Sequence, residues 1–382
     1  MIPVYEPLLK DREKQLLAEC IDSGWVSSEG PFIKEFEEQF SHYLGAQHGV
    51  AVCNGTAALE TALYGIGVRK GDEIIMPSFT IISCALAALR LGARPVLVDI
   101  DPDTWNMDTT QIESKITPRT RAIMPVHIYG LPVDMDPVVD LAAQYDLKIV
   151  EDSAEAHGAE YFSRGAGNRW VKCGNMGDVG CFSFYANKIV TTGEGGMVVT
   201  NDPSIATRAA SYRNLCFHAE RRFYHTELCY NFRMTNLQAA VGIAQLERIE
   251  ETIALRRSLA AYYRQRMADV SGVRFQAKPP YAKPVHWMYA IQLDEALGVD
   301  AESMMRQLKD KGIGTRPFFL GLHAQPVLRD HGHVAEEPFP HTEQAHKQGL
   351  YLPSGLTLTR SQIDVVCEAV REIVQEGENG SI

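Results

Sequence analysis

Short runs rich in β-branched residues alternate with helix-period segments from residue 48 to residue 200, and this alternation limits the fold more than any other feature of the chain. "HGVAVCNGTAALETALYGIG" reads as a strand, a tight turn at Asn54-Gly55 and a helix from Thr56. "DEIIMPSFT", "ARPVLVDID" and "TRAIMPVHIYG" read as strands, with "ISCALAALRLG" helical between the first two. "MDPVVDLAAQYD" is helical, "LKIVEDSAEA" is a strand ending in acid, and "VGCFSFYANK" and "GGMVVTND" are two further strands. Strands joined through helices pair in parallel, and parallel sheets are covered on both faces. The expected class is α/β, a mainly parallel sheet sandwiched by helices.

The flanking regions differ. "PFIKEFEEQFSHYLG" repeats Phe32, Phe36, Phe40 and Leu44 at intervals of four, one face of a helix, with Gly45 as its C-cap. "MTNLQAAVGIAQLERIEETIALRRSLAAYYRQRMADV" is helical for most of its length, with Thr235 as N-cap. Strand "VHWMYAIQLD", helix "DAESMMRQLKDKG", strand "IGTRPFF" and helix "RSQIDVVCEAVREIVQEG" follow in α+β order. The expectation is a large α/β domain with its lead-in over residues 1–250 and a smaller α+β domain over 251–382. "LRDHGHVAEEPFPHTEQAH" is a loop by composition, and the last residues are expected to fray.

Composition narrows the function. A net charge of −11 argues against the basic face that nucleic acid or an anionic membrane requires. No apolar run reaches membrane-spanning length, and "MIPVYEPLLKDREKQ" lacks the pattern of a signal peptide. The eight cysteines are scattered without a C-x-x-C pair, mostly in apolar runs, as free buried thiols are, so a reducing cytoplasm is expected. His331, His333, His341 and His346 lack cysteine partners and an H-E-x-x-H helix, so no metal is expected. There is no P-loop, and "GIGVRKG" has the wrong spacing for a dinucleotide fingerprint.

In open α/β sheets ligands lie outside the carboxyl ends of the strands. At Gly55–Thr56 a strand turns into a helix whose first N–H groups suit an anion, though ordinary strand–turn–helix junctions look the same. Asp152 and Glu155 follow an apolar strand, a position open to metal ligation, base chemistry, pairing with a cationic ring nitrogen, or simple solvation. Lys188 stands alone between two apolar runs, where burial would make its amine a nucleophile toward an aldehyde. Pyridoxal phosphate requires a lysine for its aldehyde, an acid for its ring nitrogen and donors for its phosphate. Lys188, Asp152, the Gly55–Thr56 turn and Ser183 together supply that set.

These segments, with "GWVSSEGPFIKEFEEQF", "PVHIYG", "GDVGCFSFYANKIVTTGEGGMVVTND" and "YNFRMTNLQAAVGIAQLERI", resemble the DegT/DnrJ/EryC1/StrS family of pyridoxal-phosphate-dependent sugar aminotransferases over nearly the whole chain. The resemblance implies an aspartate aminotransferase-like (type I) fold and a homodimer with composite active sites. It implies that Lys188 bonds the cofactor aldehyde, Asp152 pairs with the ring nitrogen, Glu155 lies near the ring hydroxyl, and Gly55, Thr56 and Ser183 hold the phosphate. Asn231 and Arg233 would reach the partner subunit's cofactor and substrate, and His323 would border the sugar pocket. Arg213, Arg221, Arg222 and Arg316 are candidates for a substrate diphosphate. Trp287 and Tyr289 are candidates for stacking on a nucleobase, or for strand packing.

The implied reaction moves an amino group from L-glutamate to a nucleotide-linked keto-sugar. "TTGEGGMVVTND" and "HWMYA" most resemble members that aminate GDP-4-keto-6-deoxy-mannose. Related dehydratases carry histidine where Lys188 stands, so lysine favours amino transfer; a dehydratase and a non-catalytic regulator on the same scaffold are the alternatives. Three features depart from the pattern. Ile81 replaces the aromatic that usually stacks on the cofactor, so stacking would be aliphatic or come from Phe79. "RNLC" and Leu320 replace the subgroup's "RGQG" and histidine, and "YFSRGAGNRWVKCGNMGD" is longer than usual.

Overall fold

A computed structural model describes residues 1–218 and 220–378. After α1 (Asp11–Ser23) and α2 (Pro31–Leu44) the chain alternates through β1 (His48–Val52), α3 (Gly55–Gly65), β2 (Glu73–Pro77), α4 (Ser83–Arg90), β3 (Arg94–Val98), β4 (Thr120–Ile123), α5 (Met135–Tyr145) and β5 (Lys148–Asp152). A hairpin of β6 (Glu160–Ser163) and β7 (Arg169–Lys172) precedes β8 (Val179–Ser183) and β9 (Gly196–Thr200). Next come α6 (Pro203–Arg213), α7 (Asn236–Leu246) and α8 (Ile249–Arg266). The remainder is β10 (Val273–Phe275), β11 (Ala282–Lys283), β12 (Tyr289–Leu293), α9 (Ala301–Asp310), β13 (Arg316–Pro317), α10 (Pro326–Arg329), α11 (Pro340–Gln348), β14 (Gly349–Leu352) and α12 (Arg360–Glu378).

The main sheet has seven strands in the order β1-β9-β8-β5-β4-β2-β3. β8, β5, β4, β2 and β3 pair in parallel, whereas β9 pairs antiparallel with both β8 and β1. The carboxyl ends of β1, β2, β5 and β8 therefore share one edge. Because β9 runs backward beside β8, the connection through residues 184–195 folds back at that same edge without a crossover helix.

The amphipathic reading of α2 holds in detail. Pro31 opens it and Gly45, at φ 79°, closes it in the left-handed conformation that glycine adopts at least cost. Phe36 and Phe40 are fully buried. Phe40 packs at 4.9 Å from Phe182 and 5.1 Å from Phe184, so α2 is fixed to β8 and to the start of the connection after it.

A second sheet, in the order β10-β12-β14-β13, has its own apolar cluster, in which Tyr263 of α8 stacks on Tyr289 at 4.3 Å and α12 contributes Val366, Val370 and Ile373. The chain's first residues return to this region: Ile2 bridges Ile313, and Val4 accepts a hydrogen bond from the Ser354 N–H.

Several local expectations change. The long helical segment after Met234 is two helices, separated at Glu247–Arg248, where the Arg248 side chain bonds the Leu8 carbonyl. The segment read as a loop, residues 328–346, contains the end of α10 and most of α11. The Asp99 carboxylate, from just beyond β3, accepts from the His341 and Thr342 N–H groups and so caps α11 from a distant part of the sequence. Cys216 and Cys229 are not free thiols; a disulfide joins them across the α6–α7 loop, while the other six cysteines are free. The fraying expected at the C-terminus concerns residues 379–382, outside the described range. Among the described residues no helix is long and apolar enough to cross a membrane.

Phe40→Ala should destabilise the protein by about 3–5 kcal/mol, because it removes a buried ring from the α2–β8 contact. Chemical denaturation of the cofactor-free protein measures this, and a loss below about 1 kcal/mol would place the contact outside the core.

Candidate active site

At the shared edge lies a cavity of about 550 Å³, within the range of roughly 300–1,000 Å³ usual for small-molecule sites. The carboxyl end of each converging strand contributes to it: Asn54–Thr56 after β1, Thr80 and Ile81 after β2, Asp152 and Glu155 from β5 onward, and Ser183 from β8. Lys188, from the connection after β8, lines it too, and Trp287, Phe319 and Tyr351 come from the C-terminal region.

Glycine builds one wall. A Cβ on Gly55 would fall 2.7 Å from the Ser183 Cβ, and one on Gly196 would fall 2.4 Å from the Asn54 carbonyl oxygen. Gly196 pairs in register with both Val52 and Ser183. Two glycines thus allow the N-terminus of α3 to press against the end of β8. Asn54 caps that helix by accepting from the Ala57 N–H at 2.8 Å. The Thr56 and Ser83 hydroxyls meet at 2.8 Å. Helix-start N–H groups with three hydroxyls, those of Thr56, Ser83 and Ser183, form a donor set suited to a phosphate.

The opposite chemistry occupies the floor. Asp152 is buried; its carboxylate accepts from the Ala154 N–H at 3.0 Å and from the Cys84 thiol at 3.1 Å. Glu155 accepts from the Tyr129 N–H at 2.7 Å. Tyr129 is held at φ 53°, a conformation that costs a non-glycine residue about 1–3 kcal/mol and that clusters at functional sites.

Lys188 is only 8% exposed, with its Nζ 3.8 Å from the Glu155 carboxylate and 3.7 Å from the centre of the Trp287 ring. Burial dominates both members of the pair. It pushes the Lys188 amine below its ordinary value, opposed by Glu155 and Asp152, and pushes Glu155 up to about 7, opposed by Lys188 and the Tyr129 N–H. The site thus holds an amine disposed to lose its proton, a buried carboxylate and a phosphate cradle. These residues fit pyridoxal phosphate, with Lys188 for the aldehyde, Asp152 for the ring nitrogen, and Gly55, Thr56, Ser83 and Ser183 for the phosphate.

The structure brings Gly55, Thr56, Asp152, Glu155, Ser183 and Lys188 around one cavity. It leaves Asn231, Arg233, His323, Arg316, Arg213, Arg221, Arg222 and Tyr289 outside that lining. Asn231 is exposed and bridges Asn214, and the Arg233 guanidinium donates to the Asn214 side chain at 2.7 Å. Arg316 is exposed at the rim, in register with the cavity residue Tyr351. His323 bonds the Ser78 hydroxyl at 2.6 Å and stacks on Phe339 at 4.6 Å. Arg213 pairs with Glu37 and bonds the Ala51 carbonyl, so its guanidinium is committed to the core of the subunit; Arg221 and Arg222 remain exposed. Tyr289 packs in the second core, and Trp287 turns its ring toward Lys188, so neither offers a free face to a nucleobase. Ile81, 47% exposed, lines the cavity, whereas Phe79 is buried among Tyr129, Phe318 and Phe319. Sequence reading missed Ser83 and the backbone role of Tyr129. A serine one turn after "PSFT" was the available signal for the first; nothing signalled the second.

Parallel sheet, buried lysine, acid and phosphate cradle together define a pyridoxal-phosphate enzyme of the aspartate aminotransferase type. Residues 7–371 match the DegT/DnrJ/EryC1/StrS aminotransferase family. The chain is 42% identical over 376 residues to the GDP-perosamine synthase of Caulobacter vibrioides, covering 98% of each chain. It is 38% identical over 375 residues to that of Escherichia coli O157:H7, covering 98% of this chain and 99% of the other. The solved structure of DesI in the presence of its TDP-sugar product superposes with a TM-score of 0.89 at 32% identity, covering 100% of this chain and 94% of that one. The chain belongs to the DegT/DnrJ/EryC1/StrS aminotransferase family, and it is a pyridoxal-phosphate-dependent transaminase.

The Glu155 value sets a pH test. The folded chain keeps a proton that the unfolded chain, at 4.5, releases, so this group favours folding most below about pH 4.5 and that stabilisation is lost as pH rises through about 7. In the cofactor-free protein the melting temperature of the wild type should fall relative to that of Glu155→Gln as pH rises from about 5 to about 7. Parallel curves would show that Glu155 is an ordinary carboxylate.

Proposed function

We propose that this transaminase moves the amino group of L-glutamate to a nucleotide-linked keto-sugar, with GDP-4-keto-6-deoxy-mannose as substrate and GDP-perosamine as product, in amino-sugar synthesis for a surface polysaccharide. The observation that carries the reaction type is the buried Lys188 amine beside Glu155 on the floor of the cavity. The names of the two bacterial relatives support the sugar. When bound, pyridoxal phosphate supplies an aldehyde that takes amines and a ring that stores electrons released at the neighbouring carbon. The chain's own residues supply the rest. Asp152 holds a proton on the ring nitrogen, the Gly55–Thr56 cradle anchors the phosphate, and Lys188 Nζ, when free, takes a proton from one carbon and returns it to another.

The proposal includes a cytoplasmic homodimer. Ile81 and Tyr185 line the cavity yet stand about half exposed, at 47% and 48%, as apolar side chains awaiting cover do. Asn231 and Arg233 lie outside the cavity lining of their own subunit, and in the proposed dimer they serve the partner's site.

The test is turnover of purified enzyme with glutamate and either GDP-4-keto-6-deoxy-mannose or a TDP-linked keto-sugar. We expect 2-oxoglutarate and amino sugar in equal amounts from the GDP substrate, and none from Lys188→Ala. Preference for the TDP substrate would overturn the nucleotide assignment. Release of ammonia with a deoxy sugar would overturn amino transfer.

A further inference from the structure

Trp287 was reached from the sequence only as a stacking or packing residue, yet its surroundings are those of a built support. The residue is buried, at 4% exposed. Its indole N–H donates to the Asn187 carbonyl at 2.7 Å, fixing the ring to the residue before Lys188. Its own N–H donates to the Tyr129 carbonyl at 2.9 Å, and its carbonyl accepts from the buried Arg256 at 2.7 Å. The indole N–H and both polar groups of its backbone are thus tied down, and its face lies 3.7 Å from Lys188 Nζ.

We propose that Trp287 is a positioning residue for this transamination: its indole face holds Lys188 Nζ near Glu155 whenever the amine is released from covalent duty, and offsets part of the cost of burying its charge. This rests on the reading of Lys188 as the covalent lysine. A freed ammonium in this cavity has other carboxylates within its field. Asp152 stands at the end of β5, Glu155 on the turn beyond it and Glu194 in the segment before β9. An amine that settled on Asp152 would neutralise the acid reserved for the ring nitrogen. An aromatic face attracts the cation without offering a proton acceptor, so it can hold the amine near Glu155 and still release it.

Other groups facing the pair do not offer the same service. His157 is buried among phenylalanines and its ring is pushed down to about 3 by burial, so it stays neutral. Arg256 approaches Trp287 from α8, and the Tyr5 hydroxyl bonds the Lys188 carbonyl, not its amine. Tyr351, from β14, lines the same cavity with its hydroxyl pushed well up by burial.

The experiment titrates Lys188 directly in cofactor-free protein. Acetic anhydride, which acylates only the neutral amine, is applied across a pH series, and labelling at Lys188 is read by peptide mass spectrometry. In Trp287→Met, which keeps an apolar side chain there but removes the ring, the amine should titrate about one pH unit lower than in the wild type. Trp287→Phe, with a weaker face, should fall between them. A shift absent or upward in either folded variant overturns the proposal. If neither variant folds, the wild type decides: the ε-methylene protons of Lys188, assigned by their loss in Lys188→Met, should lie upfield from the indole ring current. Shifts at ordinary lysine positions would overturn it. A failed titration with borohydride-fixed cofactor still on Lys188 would refute only Trp287's role, whereas cofactor fixed elsewhere would refute the underlying reading.

Discussion

An ammonium taken out of water loses several kcal/mol of solvation unless charges or dipoles replace it. Lys188 is such a group, and much of the surrounding architecture serves to make its burial tolerable. Glu155 provides a carboxylate at 3.8 Å and Trp287 an aromatic face at 3.7 Å. Each is fixed in turn by Tyr129, whose N–H bonds Glu155 and whose carbonyl accepts from the Trp287 N–H. One residue in an unfavourable backbone conformation therefore aligns both supports. The compensation is incomplete, which leaves the amine easier to deprotonate than a surface lysine and so chemically useful at neutral pH.

Topology explains why these groups meet. Parallel strands deliver their carboxyl ends to one edge, and β9 breaks the pattern by running backward. The connection between β8 and β9 therefore folds over that edge and sets Lys188 opposite Asp152. Phe182 and Phe184, on either side of Ser183, anchor this connection against Phe40 of α2. Gly196 completes the arrangement, because only a residue without a side chain lets β9 lie so near Asn54. Chemistry and packing are thus two uses of one short stretch.

Much of this was legible in the sequence, for a physical reason. Lys188, Asp152, Ser183 and Gly55–Thr56 each lie at the end of an apolar run, and such runs are visible without coordinates. The rule that ligands gather beyond strand ends then located them together. What escaped was interaction between distant segments. Trp287 sits in a run that reads as strand core, and its role depends on a lysine far away in sequence. Asp99 caps α11 from across the chain, which is why that helix read as loop. Arg213 looked available for phosphate because its partner Glu37 lies in a different element. Cys216 and Cys229 gave no motif because a disulfide requires proximity, not spacing.

The most direct measurement is the site of covalent attachment. The pyridoxal-phosphate-loaded protein is reduced with borohydride and its peptides are mapped by mass. The account predicts one modified peptide, carrying the reduced adduct on Lys188. An adduct on another lysine, or none on a protein that still shows the absorbance of bound cofactor, would contradict it.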